Sequence, residues 1–173
     1  MATNHYGPFL LTNLLLDLLK KSGPSRIVIV ASSLYRLMNA DLEIMNPVDV
    51  LPVLLYYASK SANIMFANEL AKQLEGSNVT VNCLHPGMID TGIWRNVPFP
   101  MSVPLAFVIK FFYKTPVEGA QTTLYLSVSD EVNGVTGKYF SDCKEATLIP
   151  YVTNNRNCKI LWQNSAKIVK LDI

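Results

Sequence analysis

Charge is what this chain has least of. Charged residues make up 16% of its 173 residues, while 50% are hydrophobic. Ordinary soluble domains carry about 25% charged residues, and mean hydropathy here is +0.22. A surface so short of charge implies a partner, a membrane contact or further protein to cover it. The charge that is present is balanced, at net +2 with no basic run, which excludes the electrostatic footprint of a nucleic-acid binder. Cysteine is scarce too. Cys83, Cys143 and Cys158 are odd in number and follow no metal-ligand spacing, so they read as reduced thiols, with neither a disulfide framework nor a metal site expected. No run approaches the roughly 18 apolar residues of a membrane-spanning helix. The nearest, residues 101–112, holds Pro104 and Lys110 and could at most lie on a membrane surface. Residues 1–15 lack a basic start and a small-residue cleavage site, so no secretory leader is expected. Asn78-Val79-Thr80 matches a glycosylation sequon but opens an apolar strand, and is read as chance. There is no internal repeat and no low-complexity segment, and the length suits one domain spanning residues 1–173.

What is present is an alternation of helix and strand. Leu10, Leu11, Leu14, Leu15, Leu18 and Leu19 recur at three- and four-residue spacing, so residues 4–21 are expected to be helical. Gly7-Pro8 should kink or delay the start. Residues 26–31 form a continuous β-branched run, the pattern of a strand buried on both faces. A loop is expected over 34–52, a long helix over 53–74, a second buried strand over 79–84 and a loop over 86–104. A third helix is expected over 116–127, a short strand over 138–141 and a terminal helix over 155–169. The pattern indicates an α/β layer fold with a parallel sheet. About three strands are visible where such sheets have about 5–6, which would leave the first strand as an open edge, a liability in a stable fold. The expected architecture is therefore an incomplete, Rossmann-like, doubly wound parallel sheet with flanking helices.

On the long helix, Tyr56 and Lys60 stand four positions apart and share a face. A nearby ammonium favours a phenolate, lowering a tyrosine pKa from about 10 toward a range useful for proton exchange. Alone, such a pair is more often a core aromatic and a solvated lysine. Here it follows a strand ending in Ser32-Ser33 and precedes one ending in His85-Pro86-Gly87.

Several segments, in order, carry a resemblance. They are Asn4-His5-Tyr6-Gly7 with Phe9 to Leu15, Ser25 to Ser33, Tyr56-Tyr57-Ala58-Ser59-Lys60-Ser61-Ala62-Asn63, His85 to Thr91, Thr115 to Thr122 and Gly137 to Cys143. Together they resemble the C-terminal part of a short-chain dehydrogenase/reductase, within the retinol dehydrogenase-like group. One departure is large. The glycine-rich turn that holds the cofactor pyrophosphate at a helix N-terminus in that family has no counterpart in this sequence, nor has the family's Asn-Asn-Ala-Gly segment.

The resemblance implies an oxidoreductase that moves hydride between NADP or NAD, with NADP favoured, and a lipophilic alcohol or carbonyl such as a retinoid or steroid. It implies Tyr56 as acid/base, with Tyr57 the competitor at the wrong spacing. Lys60 would lower the tyrosine pKa and bind the nicotinamide ribose. Ser33, rather than Ser32, would bond the substrate oxygen, although the stretch from Ser33 to Tyr56 is longer than in many family members. Asn4 would hold a water on the proton path, where a helix N-cap is the plainer reading. Pro86, Gly87, Ile89 and Thr91 would contact the nicotinamide end of the cofactor, where an ordinary turn is the plainer reading. His85 is read as strand end only. The apolar stretch 97–112 is expected to cover substrate or touch a membrane surface peripherally, and helices 4–21 and 53–74 to pair with a twin subunit. The cytoplasm or the cytosolic face of an internal membrane is the expected location. The alternative is a catalytically inactive remnant serving only as an interaction or dimerisation module.

Overall fold

The computed structural model describes residues 1–45, 50–90 and 113–172. Its first element is a π-helical turn, Ala2–Tyr6, which passes into helix α1, Gly7–Ser22. The change of winding falls at the Gly7-Pro8 step, where a proline at the first turn needs no amide partner. The strand β1 follows, Ser25–Val30, then the long helix α2, Pro52–Gln73, and the strand β2, Val79–His85. Helix α3 spans Pro116–Val128, β3 Tyr139–Ser141, β4 Lys144–Glu145, α4 Pro150–Thr153 and α5 Asn155–Val169.

Among the described residues the strands form one sheet in the order β1-β2-β3-β4. β1 runs parallel to β2 from Ser25 opposite Val79 to Val30 opposite Leu84, and β2 runs parallel to β3. The fourth strand was not expected. It is a two-residue antiparallel return, pairing Ser141 with Lys144, too short for any alternation to show. Its turn places Asp142 and Cys143 at positive φ. The segment read as a loop after β1 also opens with a helical turn, Ser33–Leu37, whose Tyr35 is fully buried. The short helix α4 was likewise not expected.

The two faces of the sheet carry separate cores. Ile27, Ile29, Val81 and Cys83 join Phe9 of α1, Ile64, Met65 and Phe66 of α2 and Leu161 and Trp162 of α5. On the opposite face Leu84 and Phe140 meet Leu126 of α3, with Val28 packed at the margin. α2 is buried nearly all round, as expected of a helix wedged between sheet and α5. β2 is buried on both faces. β1 departs from that expectation: Ile27 and Ile29 are buried, but Val28 is half-buried and Val30 is 43% exposed. The cause is position, since β1 is the outer strand. The amides of Ser25 and Ala31 bond to Asn78 and Leu84, so by strand alternation Arg26, Val28 and Val30 turn their backbone groups outward.

The leucine stripe of α1 defines a helix but not a core face. Phe9 is the buried residue of α1, whereas Leu11, Leu14 and Leu18 are 60–67% exposed. Phe9 sits 5.0 Å from the Phe66 ring and 4.9 Å from the Trp162 ring. α1 is thus held to the body by Phe9, with Leu16 and Leu19 packed part-buried beside it. Phe9→Ala is expected to cost about 3–5 kcal/mol, seen as a lower urea midpoint, with α1 amides losing hydrogen-exchange protection before those of β2.

Candidate functional site

Parallel pairing brings the C-terminal ends of β1, β2 and β3 to one side of the sheet, where ligands bind in open α/β sheets. The end of β1 leads into Ser32 and Ser33. Ser32 is buried and its Oγ accepts a bond from the Leu34 amide at 3.2 Å, capping the turn that follows. Ser33 begins that turn, is half-exposed, and makes no side-chain hydrogen bond among the described residues. Ser32 is thus buried with its oxygen engaged, whereas Ser33 is the more accessible hydroxyl of the two. The turn packs against α2.

On α2, Tyr56, Ser59, Lys60 and Asn63 follow the spacing i, i+3, i+4, i+7 and form one polar stripe. The Lys60 ammonium lies 5.6 Å from the centre of the Tyr56 ring. Its Nζ donates to the outward carbonyl of Val30 at 3.0 Å. Burial pushes the Lys60 pKa below the usual lysine value. Asn4 lies within the π-helical turn and does not cap a helix. Its Nδ2 donates to Ser59 Oγ at 3.2 Å, Ser59 Oγ donates to the Tyr56 carbonyl at 2.7 Å, and Asn63 Nδ2 donates to the Asn4 carbonyl at 2.9 Å.

Two adjoining hollows open on this stripe. One, of about 350 Å³, is lined by Tyr56, Leu55, Pro52, Asn4 and Thr3. The other, of about 560 Å³, runs along β1 between Lys60, Asn63, Asn4, Pro8 and Leu11. Asn4 borders both, with Tyr56 on one and Lys60 on the other. Ser33, Pro86, Gly87 and Ile89 are not among their walls.

The end of β2 is organised separately. Gly87 adopts φ +95°, and a Cβ there would stand 2.9 Å from the Lys114 side chain, so glycine is required. Met88 and Asp90 exchange backbone bonds with Lys114 across the bridge Ile89–Lys114. Lys114 in turn forms an ion pair with Asp142. Just beyond it, α3 starts on a capping box in which Thr115 and Glu118 bond each other's amides. Ile89 lays its side chain over Gly119 of α3. His85 ends β2, as expected, and its Nδ1 is buried without a hydrogen bond among the described residues. Thr91 and the stretch 97–112 lie outside the described residues.

Sequence reasoning passed over His5. It is fully buried, between Asn63 Oδ1 at 3.2 Å and Ser165 Oγ at 2.8 Å. The polar spacing of α2 was a signal for Asn63, but nothing local marks Ser165 as its distant counterpart. Burial pushes the His5 pKa down to about 4. The unfolded chain binds that proton near pH 6.5 and the folded chain does not, so stability falls as pH drops from 6.5 toward 4. Between pH 7.5 and 5.0 the loss from His5 is about 2 kcal/mol. His85, also lowered by burial, adds in the same direction. Urea unfolding at the two pH values measures the sum.

Gly119→Ala offers a check on the β2 loop. Its Cβ would lie 2.7 Å from Ile89 Cγ1 and closer still to Cδ1. An overpacking cost of about 1–3 kcal/mol is expected, with the amide signals of Met88 to Asp90 displaced in an NMR spectrum.

The family model for short chain dehydrogenases matches residues 1–99. Retinol dehydrogenase 14 of Homo sapiens is 49% identical over 173 residues, covering 98% of this chain and 52% of that protein. The chain spans about half the length of the curated relatives it matches. A crystal structure of an uncharacterised protein from Mycobacterium Paratuberculosis superposes with TM-score 0.67 at 26% identity, over 97% of this chain and 57% of that one. A 4-hydroxyisoleucine dehydrogenase complexed with NADH and succinate shares the fold at TM-score 0.57 and 24% identity, over 79% of this chain and 52% of that one. Motif order, sheet topology and these matches agree: the chain belongs to the short-chain dehydrogenase family of NAD(P)-dependent oxidoreductases, on its retinol dehydrogenase-like side.

Proposed function

We propose that this chain is the C-terminal portion of a Rossmann-type dehydrogenase domain and carries its proton-transfer site, acting on a lipophilic alcohol or carbonyl of the retinoid or steroid class. The observation that carries this is the convergence of Asn4, Tyr56 and Lys60 on two adjoining hollows at the C-terminal end of β1. In the reductive direction the Tyr56 hydroxyl gives its proton to the substrate oxygen as hydride reaches the carbon. Ser33, the more accessible of the two serines, donates a hydrogen bond to the same oxygen and stabilises developing charge. The Lys60 ammonium, 5.6 Å from the centre of the Tyr56 ring, places a positive charge beside the proton transfer.

The nicotinamide half of a cofactor fits the residues present. Lys60 and Asn4 border the larger hollow, and Gly87, having no Cβ, permits close approach at the neighbouring strand end. When bound, the nicotinamide supplies or accepts the hydride. Lys60 would hold its ribose, and Pro86, Gly87, Ile89 and Thr91 its ring end. NADP is favoured over NAD on the family resemblance. The adenosine and pyrophosphate half has no glycine-rich turn to meet it in this sequence. Each hydrogen bond to a charged group forgone costs about 1.5–3 kcal/mol, several orders of magnitude in affinity when summed. NADPH is therefore expected to bind the purified chain only at millimolar levels by fluorescence titration, and micromolar binding would overturn that expectation. At saturating NADPH, Tyr56→Phe is expected to slow reduction of all-trans-retinal about 10²–10⁴-fold. Unchanged turnover would remove Tyr56 from this role.

A second reading has its own support. Leu11, Leu14 and Leu18 on α1, with Leu51 and Val53 at the start of α2, form exposed apolar surface suited to pairing of these two helices with a twin subunit. Sedimentation would distinguish a dimer from a monomer. Among the described residues no helix is long and apolar enough to cross a membrane. Peripheral contact through 97–112 at the cytosolic face of a membrane remains part of the proposal.

A further inference from the structure

We propose that His5, held as the tautomer with its proton on Nδ1, is a positioning residue that ties the terminal helix α5 to Asn4 at the site. The argument is one of donors and acceptors. Asn63 Nδ2 donates to the Asn4 carbonyl at 2.9 Å, which fixes the orientation of that amide. Its Oδ1 is therefore the atom facing His5 Nδ1 at 3.2 Å, and a carbonyl oxygen can only accept. The proton must sit on Nδ1. Nε2 is then a bare acceptor, and the hydroxyl of Ser165, 2.8 Å away, donates to it. His5 and Ser165 are fully buried and Asn63 nearly so, and burial holds the ring neutral at physiological pH.

The chain of bonds runs Ser165 to His5 to Asn63 to the Asn4 carbonyl, and the Asn4 side chain continues it to Ser59 and the Tyr56 carbonyl. Ser165 lies on α5 and touches neither hollow, yet by donating to Nε2 it satisfies the nitrogen that the Asn63 contact leaves bare. An unpaired polar group in this core is costly, so the tautomer and the Asn63 rotamer are locked together. Asn4 enters the hollows from a π-helical turn with few constraints of its own, and Asn63 supplies the missing one. This inference deepens the proposed function and rests on it for the catalytic meaning of Asn4.

The test uses the full chain labelled with nitrogen-15. Long-range proton–nitrogen spectra, with His85→Gln assigning the second ring, are expected to show a pyrrole-type Nδ1 and a pyridine-type Nε2 for His5, unchanged from pH 5.5 to 8. The opposite tautomer, or titration near pH 6.5, would overturn the proposal. Ser165→Ala is expected to shift the Asn4 side-chain amide signal, while Cys158→Ala, a buried change on the same helix, leaves it in place. An equal response to the two, or none, would mean that packing alone is at work. His5→Asn, which keeps an amide N–H where Nδ1 stood, is expected to hold the Asn4 signal near its original position, and His5→Leu to displace it. Should His5→Leu fail to fold, the Ser165 and Cys158 pair decides. None of these signals depends on turnover. If Asn4 responds as expected but Tyr56→Phe leaves retinal reduction intact, the function reading alone falls, and the tie from α5 to Asn4 stands. If Tyr56→Phe abolishes reduction while the Asn4 signal stays fixed, the positioning role alone falls.

Discussion

The parallel pairing of β1 with β2 is the constraint on which the rest depends. Six residues of each strand are in register, and this alone sets Ser32-Ser33 beside His85-Pro86-Gly87 at one end of the sheet. A parallel pair requires a crossover, and α2 is that crossover, so Tyr56 and Lys60 are carried on the segment that the pairing forces across the sheet. Lys60 then reports the arrangement directly by bonding Val30, the last residue of β1. Shifting the ladder by one residue would turn Ile27 and Ile29 out of the larger core and move that carbonyl out of reach.

The second constraint is the N-terminal turn. Residues 2–6 would have little reason to stay against α2 by hydrophobicity alone, since only His5 and Tyr6 among them are buried. They are held by hydrogen bonds from α2 and α5 and by Phe9 in the aromatic group behind them. Packing and polar satisfaction thus act together at the point where Asn4 meets the hollows.

The alternation of helix and strand was legible in the sequence because β1 and β2 are short runs rich in β-branched residues and α1 and α2 are long. The terminal helix was legible to the residue, from Asn155 to Val169. β4, the Ser33–Leu37 turn and α4 are too short for periodicity and arise from tertiary contacts such as the buried ring of Tyr35. The Tyr56/Lys60 pair could be read from spacing, and Asn63 extends the same stripe. The choice between Ser32 and Ser33 could be argued only from resemblance until Ser32 was seen to be buried and Ser33 accessible. His5 and Ser165 are 160 positions apart, and no local pattern joins them.

The shortage of charge also acquires a location. Exposed apolar residues gather on α1, at Leu11, Leu14 and Leu18, and at Val30 on the outer edge of β1. The groove between them is lined by the apolar Pro8, Leu11 and Val28 and by the polar Asn4 and Lys60. The surface with most to gain from being covered therefore shares a rim with the proposed chemistry. The outward carbonyl of Val30, the last acceptor on the open edge, is already held by Lys60. A carbonyl has two lone pairs, so a strand added along this edge would share that acceptor with the lysine. Sheet edge and the proposed catalytic lysine thus meet at one atom.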